Sequence, residues 1–163
     1  MREPSRRSGR TAWWVGGRWS GSVGRRVGDR ARLGAVDPDP VPAPIESISA
    51  ITLVTADMAA SLAFYRSLGF EQLYGGTDAS FTSLRAGPGF VNLQVDPAWT
   101  RPAVVWGRVI LWVDDVDAMF DRAIGAGLEP LMRPSDAPWG ERYFHLDDPA
   151  GHQLSFARPL GPP

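Results

Sequence analysis

Few residues of this chain are able to do chemistry, and their types bound it closely. There is no cysteine among 163 residues, which excludes disulfides, zinc–thiolate centres and thiol nucleophiles. Two histidines are present. His145 alternates with Asp147 on one side of an extended run and Ser155 follows a turn, so a Ser–His–Asp set can be written down. The spacing supplies no nucleophile elbow and no oxyanion hole, and the set is read as coincidence. A lone strand histidine is read as a structural or surface residue before a metal ligand. His152 follows the turn glycine Gly151, where an exposed polar side chain is ordinary. The other candidates recognise rather than react: Trp99, Trp106, Trp112 and Trp139 by stacking, Arg108 by contact with an anionic or carbonyl group.

The sequence that positions them repeats itself degenerately. At an offset of 58, Ile51 matches Val109, Leu53 matches Leu111, Asp57 matches Asp115, Gly69 matches Gly127 and Glu71 matches Glu129. Two copies are too few for a solenoid and imply two similar modules. In the first, residues 48–55 are β-branched and apolar, a strand with Ile51 and Leu53 on one face and Ala50, Thr52 and Val54 on the other. Asp57 is an N-cap, Met58, Leu62 and Tyr65 form one helical stripe, and Gly69 closes the helix. Strands at 70–74, 81–85 and 90–95 follow, parted by glycine turns. In the second, Val109, Leu111 and Val113 oppose Arg108, Ile110 and Trp112. Asp115 caps a helix with the stripe Val116, Met119, Phe120 and Ala123, and Gly127 ends it. Strands are expected at 129–132, 142–146 and 153–157. The fold class is therefore α+β, two βαβββ modules over residues 46–97 and 107–160 of one 46–160 domain.

Residues 1–45 differ from the rest. They hold nine Arg against Glu3, Asp29, Asp37 and Asp39, a charge of +5, so the remainder carries −6 within the total of −1. The segment is rich in Arg, Gly, Ser and Pro without helical or strand period, and a disordered tail is expected. It lacks the apolar run of an export signal, and nothing approaches the roughly 18 apolar residues of a membrane span. A cytoplasmic protein without a membrane partner is expected. The acidic folded part argues against nucleic acid as a partner.

Three stretches carry a resemblance to a known family. D-M-A-A-S-L-A-F-Y-R-S-L-G-F resembles the first helix of the vicinal oxygen chelate superfamily, which includes glyoxalase I, extradiol dioxygenases, fosfomycin-resistance enzymes and bleomycin-binding proteins. V-D-D-V-D-A-M-F-D-R-A-I-G-A-G resembles its second helix, and P-W-G-E-R-Y-F-H-L-D-D-P-A-G-H its final hairpin. The resemblance covers about residues 46–158. It implies curved mixed sheets around a ligand-binding cup, and a homodimer. It also implies where metal-using relatives place their ligands, and this chain has Ala50, Arg108, Gln94 and Ser155 there. Ala50 has no donor atom and Arg108 no lone pair. At about 4 Å and an effective dielectric of about 20, the Arg108 charge would oppose a divalent ion by roughly 8 kcal/mol. Gln94 and Ser155 are weak neutral donors. No metal and no other cofactor are expected, and the branch resembled is that of the metal-free bleomycin-resistance proteins.

A cup without a metal leaves a lining. Strand parity places Ala50 and Thr52 together, Phe90, Asn92 and Gln94 together, and Arg108 with Trp112. Ser155 joins them from the last strand, and Trp106 and Trp139 stand at the rim. Such a lining suits a flat aromatic drug or metabolite stacked on indole rings. The charge of −6 favours cations at long range, whereas Arg108 favours an anion on contact, unless it is paired internally with a carboxylate. The alternative is an enzyme of the same superfamily, a lyase, isomerase or dioxygenase, with a displaced metal or with acid–base chemistry through His145, Tyr143 or Arg108.

Overall fold

The structure, a computed structural model, describes residues 45–161. The expected tail, Ile45 apart, lies outside the described residues. The repeat in the sequence is a repeat in space. β1 (Ala50–Thr55), α1 (Met58–Ser67), β2 (Glu71–Tyr74), β3 (Phe81–Ala86) and β4 (Gly89–Val95) form the first module. β5 (Arg108–Trp112), α2 (Val116–Gly125), β6 (Ser135–Asp136), β7 (Glu141–Asp147) and β8 (Gln153–Pro159) form the second. The two sheets have the same order, β1-β4-β3-β2 and β5-β8-β7-β6. In each, the first strand runs parallel to the last and the other pairs are antiparallel.

The helices start where the sequence starts them. Asp57 and Asp115 each accept a hydrogen bond from the backbone N–H three residues on, at 2.9 Å. A carboxylate there satisfies an otherwise free donor and faces the positive end of the helix. Gly69 and Gly127 end the two helices at φ of 95° and 75°, a region that disfavours side chains.

One strand is not where the sequence put it. Residues 129–132 form no strand, and the outer strand of the second sheet is instead the two-residue β6. Pro130 and Pro134 explain the shift, because neither has an N–H for a ladder. Only Leu131 among them reaches β7, its N–H donating to His145 O at 2.8 Å. The first strand also begins at Ala50 rather than Ile48.

Both helices and the inner faces of both sheets share one apolar cluster. Leu53, Leu62, Tyr65, Leu84 and Leu93 enter it from the first module, and Val116, Ala123, Phe144, Leu154 and Phe156 from the second. Met119 and Phe120 are half-buried rather than buried, and Phe120 meets Phe144 edge-on at 5.4 Å.

A buried polar knot pins the modules together. The Tyr65 hydroxyl donates to Asp148 Oδ2 at 2.9 Å, across 83 residues of chain. The other oxygen of Asp148 accepts from the His152 backbone N–H at 2.8 Å. Nε2 of His152 lies 2.7 Å from the Val54 carbonyl of β1. Burial, then the neighbouring carboxylate, raise the Tyr65 phenol well above its ordinary 10.0, so it stays a donor. Burial likewise raises Asp148 from 3.8, against the hydrogen bonds it accepts.

Tyr65→Phe is therefore expected to lower stability to urea by ~1–3 kcal/mol, because it leaves the buried Asp148 Oδ2 without its donor. The parent is expected to lose stability as the pH rises above about 10, where the unfolded chain releases the Tyr65 proton and the folded protein retains it. Unfolding followed on both sides of that pH checks both statements, since Tyr65→Phe flattens the alkaline slope.

Candidate functional site

Each sheet has one face in the core and one facing outward, and strand alternation decides which side chains go where. On the first sheet the outward rows are Ala50 beside Phe90, Thr52 beside Asn92, and Val54 beside Gln94. Thr52 and Gln94 are exposed, Ala50, Phe90 and Asn92 half-buried. Asn92 Nδ2 reaches Thr52 Oγ1 at 3.4 Å. On the second sheet the outward rows run across three strands: Arg108–Gln153–Asp147, Ile110–Ser155–His145 and Trp112–Ala157–Tyr143. Eight of the ten residues singled out in the sequence thus fall into two sets on separate sheets, with Trp106 on the segment between the modules and Trp139 in the turn before β7.

The register also aligns the fourth-strand positions. Thr52 pairs with Asn92 as Ile110 pairs with Ser155, so Asn92 is the counterpart of Ser155, and Gln94 is the counterpart of Ala157. Either choice leaves a donor set that does not fit a divalent cation. Ala50 offers nothing, Arg108 is a fixed cation, and the rest are neutral amides or a hydroxyl. Among the described residues no three His, Asp or Glu side chains gather as ligands.

The second sheet's outward face is aromatic and open. Trp112 is 62% exposed, Ile110 58% and Trp139 68%. Trp139 stacks on Tyr143 at 5.8 Å, and Tyr143 lies against His145 at 4.9 Å. Trp139 Nε1 donates to Glu141 Oε2 at 3.0 Å. Trp112 further walls a cavity of about 500 Å³ with Phe70, Arg85, Pro88 and Met119. Ile110, Tyr143 and His145 were absent from the ligand lining expected from the sequence; the latter two entered as acid–base candidates of the alternative enzyme. The alternation of Glu141, Tyr143, His145 and Asp147 against Arg142, Phe144 and Leu146 was the signal that would have found the latter two.

His152 is a correction. The turn position suggested exposure, but only 2% of it is exposed. Trp99 stacks on its ring at 5.2 Å and donates to Ala150 O at 3.0 Å. Trp106 Nε1 donates to His152 Nδ1 at 3.0 Å, which leaves the ring proton on Nε2 for Val54 O. Both tryptophans thus fasten the segment between the modules, and Trp106 has its N–H engaged internally.

His145 and Arg108 set the electrostatics of the face. His145 Nδ1 is shielded from solvent and has no partner among the described residues, so neither Ser155 nor Asp147 completes a triad with it. An unpaired buried polar atom costs about 1–3 kcal/mol. Burial, then the Arg108 charge, lower His145 from 6.5, while the Phe144 backbone and Asp147 act the other way. Arg108 Nε donates to the neutral Gln153 Oε1 at 2.7 Å. Asp147 is ion-paired with Arg101 instead.

Arg108→Gln removes one of the two causes that depress His145. Its imidazole is expected to titrate higher, closer to 6.5, in proton NMR of the two histidines. Because His145 is depressed in the folded protein, its contribution to stability is present above about 6.5 and is lost as the pH falls through the folded value. Arg108→Gln narrows that acid-side loss.

The same architecture occurs in solved structures. TioX from Micromonospora sp. ML1 is 30% identical, with a TM-score of 0.57 over 70% of this chain and 99% of that one. A bleomycin-binding protein complexed with bleomycin is 23% identical, with a TM-score of 0.58 over 70% and 98%. An uncharacterized protein of Mycobacterium bovis is 44% identical over 50 residues, 31% of this chain, so the match spans about a third of that curated relative's length. The model of the Glyoxalase/Bleomycin resistance protein/Dioxygenase superfamily matches residues 47–156. With its paired βαβββ modules and a match over most of its length, the chain belongs to that superfamily.

Proposed function

We propose that this protein holds a planar aromatic small molecule, a drug or metabolite, without a metal and without transforming it. The observation that carries the reading is the open aromatic face of Trp112, Ile110, Tyr143 and Trp139, set beside ligand positions whose residues do not suit a cation. Large exposed aromatics grouped on one face mark a binding surface. Ala50, Thr52, Phe90, Asn92 and Gln94 of the first sheet, with Arg108, Ser155 and Trp106, complete the proposed lining. A relative bound to bleomycin supports ligand holding as a use of this fold. The proposed setting is the cytoplasm and the proposed assembly a homodimer; no helix among the described residues is long and apolar enough to cross a membrane.

A second reading, an enzyme of the superfamily, is favoured by the unpartnered His145 nitrogen beside Tyr143, a pairing suited to proton transfer.

Titration with a panel of planar aromatic compounds is expected to quench tryptophan fluorescence with a dissociation constant of about a micromolar or tighter. Trp112→Ala is expected to weaken binding by roughly tenfold or more. A panel that gives neither quenching nor a thermal shift removes the reading. Metal analysis after incubation with nickel, zinc, iron and manganese is expected to give a ratio near zero; a ratio near one per chain turns the assignment to the enzyme.

A further inference from the structure

The open face of the second sheet carries a charge that no carboxylate among the described residues pairs with. Arg108 is exposed, and its contact within the face is to a neutral amide oxygen, Gln153 Oε1. Gln153 passes its own amide to Asp147 Oδ1 at 3.4 Å, and Asp147 is tied to Arg101. The carboxylate nearest along this row is therefore committed elsewhere. Among the described residues the ion pairs are those of Arg85, Arg101, Arg142 and Arg158, and Arg108 is in none. A guanidinium held by its Nε alone keeps both terminal nitrogens as donors, in the fork that fits a carboxylate.

Beyond the polar row of Arg108, Gln153 and Asp147, the face is largely aromatic and apolar. Ile110 and Trp112 follow Arg108 on β5, and Tyr143 and His145 stand across β8 from them. Ser155 and Ala157 between them are small and buried under the flanking side chains. The field of Arg108 reaches His145, which the two share this face to feel. The charged and titratable groups facing His145 are Arg108 from β5 and Tyr143 and Asp147 from β7; β8 contributes neutral Gln153 and Ser155.

We infer that this face selects planar ligands that bear an anionic group, the ring on Trp112 and the charge on the Arg108 guanidinium. The inference rests on the aromatic-ligand reading above and narrows it. It runs against the −6 of the folded part, which attracts cations at long range but is screened beyond about 8–10 Å in physiological salt. Contact with an undivided guanidinium acts inside that distance.

Naphthoate and its neutral isostere naphthamide separate the two terms. In parallel fluorescence titrations of the full chain, naphthoate is expected to bind about tenfold more tightly than naphthamide or better, and Arg108→Gln is expected to bring the two within about threefold. Far-UV circular dichroism and thermal unfolding, compared with the parent, serve as the folding control for that variant. Bound naphthoate is expected to move the His145 titration upward, because it opposes the Arg108 field, while naphthamide leaves it in place. Equal binding of the two probes to the parent, or a preference that survives Arg108→Gln, overturns the inference and leaves the aromatic-ligand reading standing. Binding of neither probe overturns both.

Discussion

The structure depends on one buried carboxylate. Asp148 sits in the turn before β8, 2% exposed, and its two oxygens take a hydrogen bond from each side of the molecule. One comes from Tyr65 in the first module and the other from the backbone of its own turn. A module of about fifty residues buries too little apolar surface to be stable alone. The two must share a core, and a shared apolar core fixes no orientation by itself. The Tyr65–Asp148–His152–Val54 path supplies that orientation, because hydrogen bonds in a shielded site tolerate little displacement. The tryptophans of the connecting segment then close over His152 and exclude water from it.

A consequence of sharing a core is that each sheet has one face left over. The repeat makes the two faces equivalent in backbone and register, yet they differ in chemistry. The first presents Thr52, Asn92, Ser83 and Gln94 interspersed with Phe90, Phe81 and Arg85. The second presents Ile110, Trp112, Tyr143 and Arg108. Duplication of a backbone plan thus yields two faces alike in register and unlike in side chains.

The family resemblance implies a metal-ligand position at Arg108, and an arginine there would put a cation where that reading expects a cation's ligand. The neutral amide of Gln153 orients the guanidinium without cancelling its charge; burial first, and that charge second, hold His145 below its ordinary value. Recognition by such a site is local, since the surrounding protein carries the opposite net charge.

Much of this was legible in the sequence because it is local. The 58-residue repeat, the caps at Asp57 and Asp115, the closing glycines and the parity of β1 and β5 follow from residue type and spacing alone, and the structure keeps them. The family resemblance, rather than spacing, singled out Ala50 and Arg108 as ligand positions, and their side chains have no lone pair to offer. The strand expected at 129–132 failed because apolar content was weighed above two prolines that cannot donate to a ladder. Tertiary structure alone decided the rest. His152 looked like an exposed turn residue, and it became buried because Trp99 and Trp106, some fifty residues earlier, fold onto it. Asn92 rather than Gln94 became the counterpart of Ser155 because register is a relation between strands. Arg108 pairs with no carboxylate among the described residues, and Asp147, two strands away, is drawn to Arg101. Local propensities are written in the order of residues, whereas pairing partners and burial belong to residues that only the fold brings together.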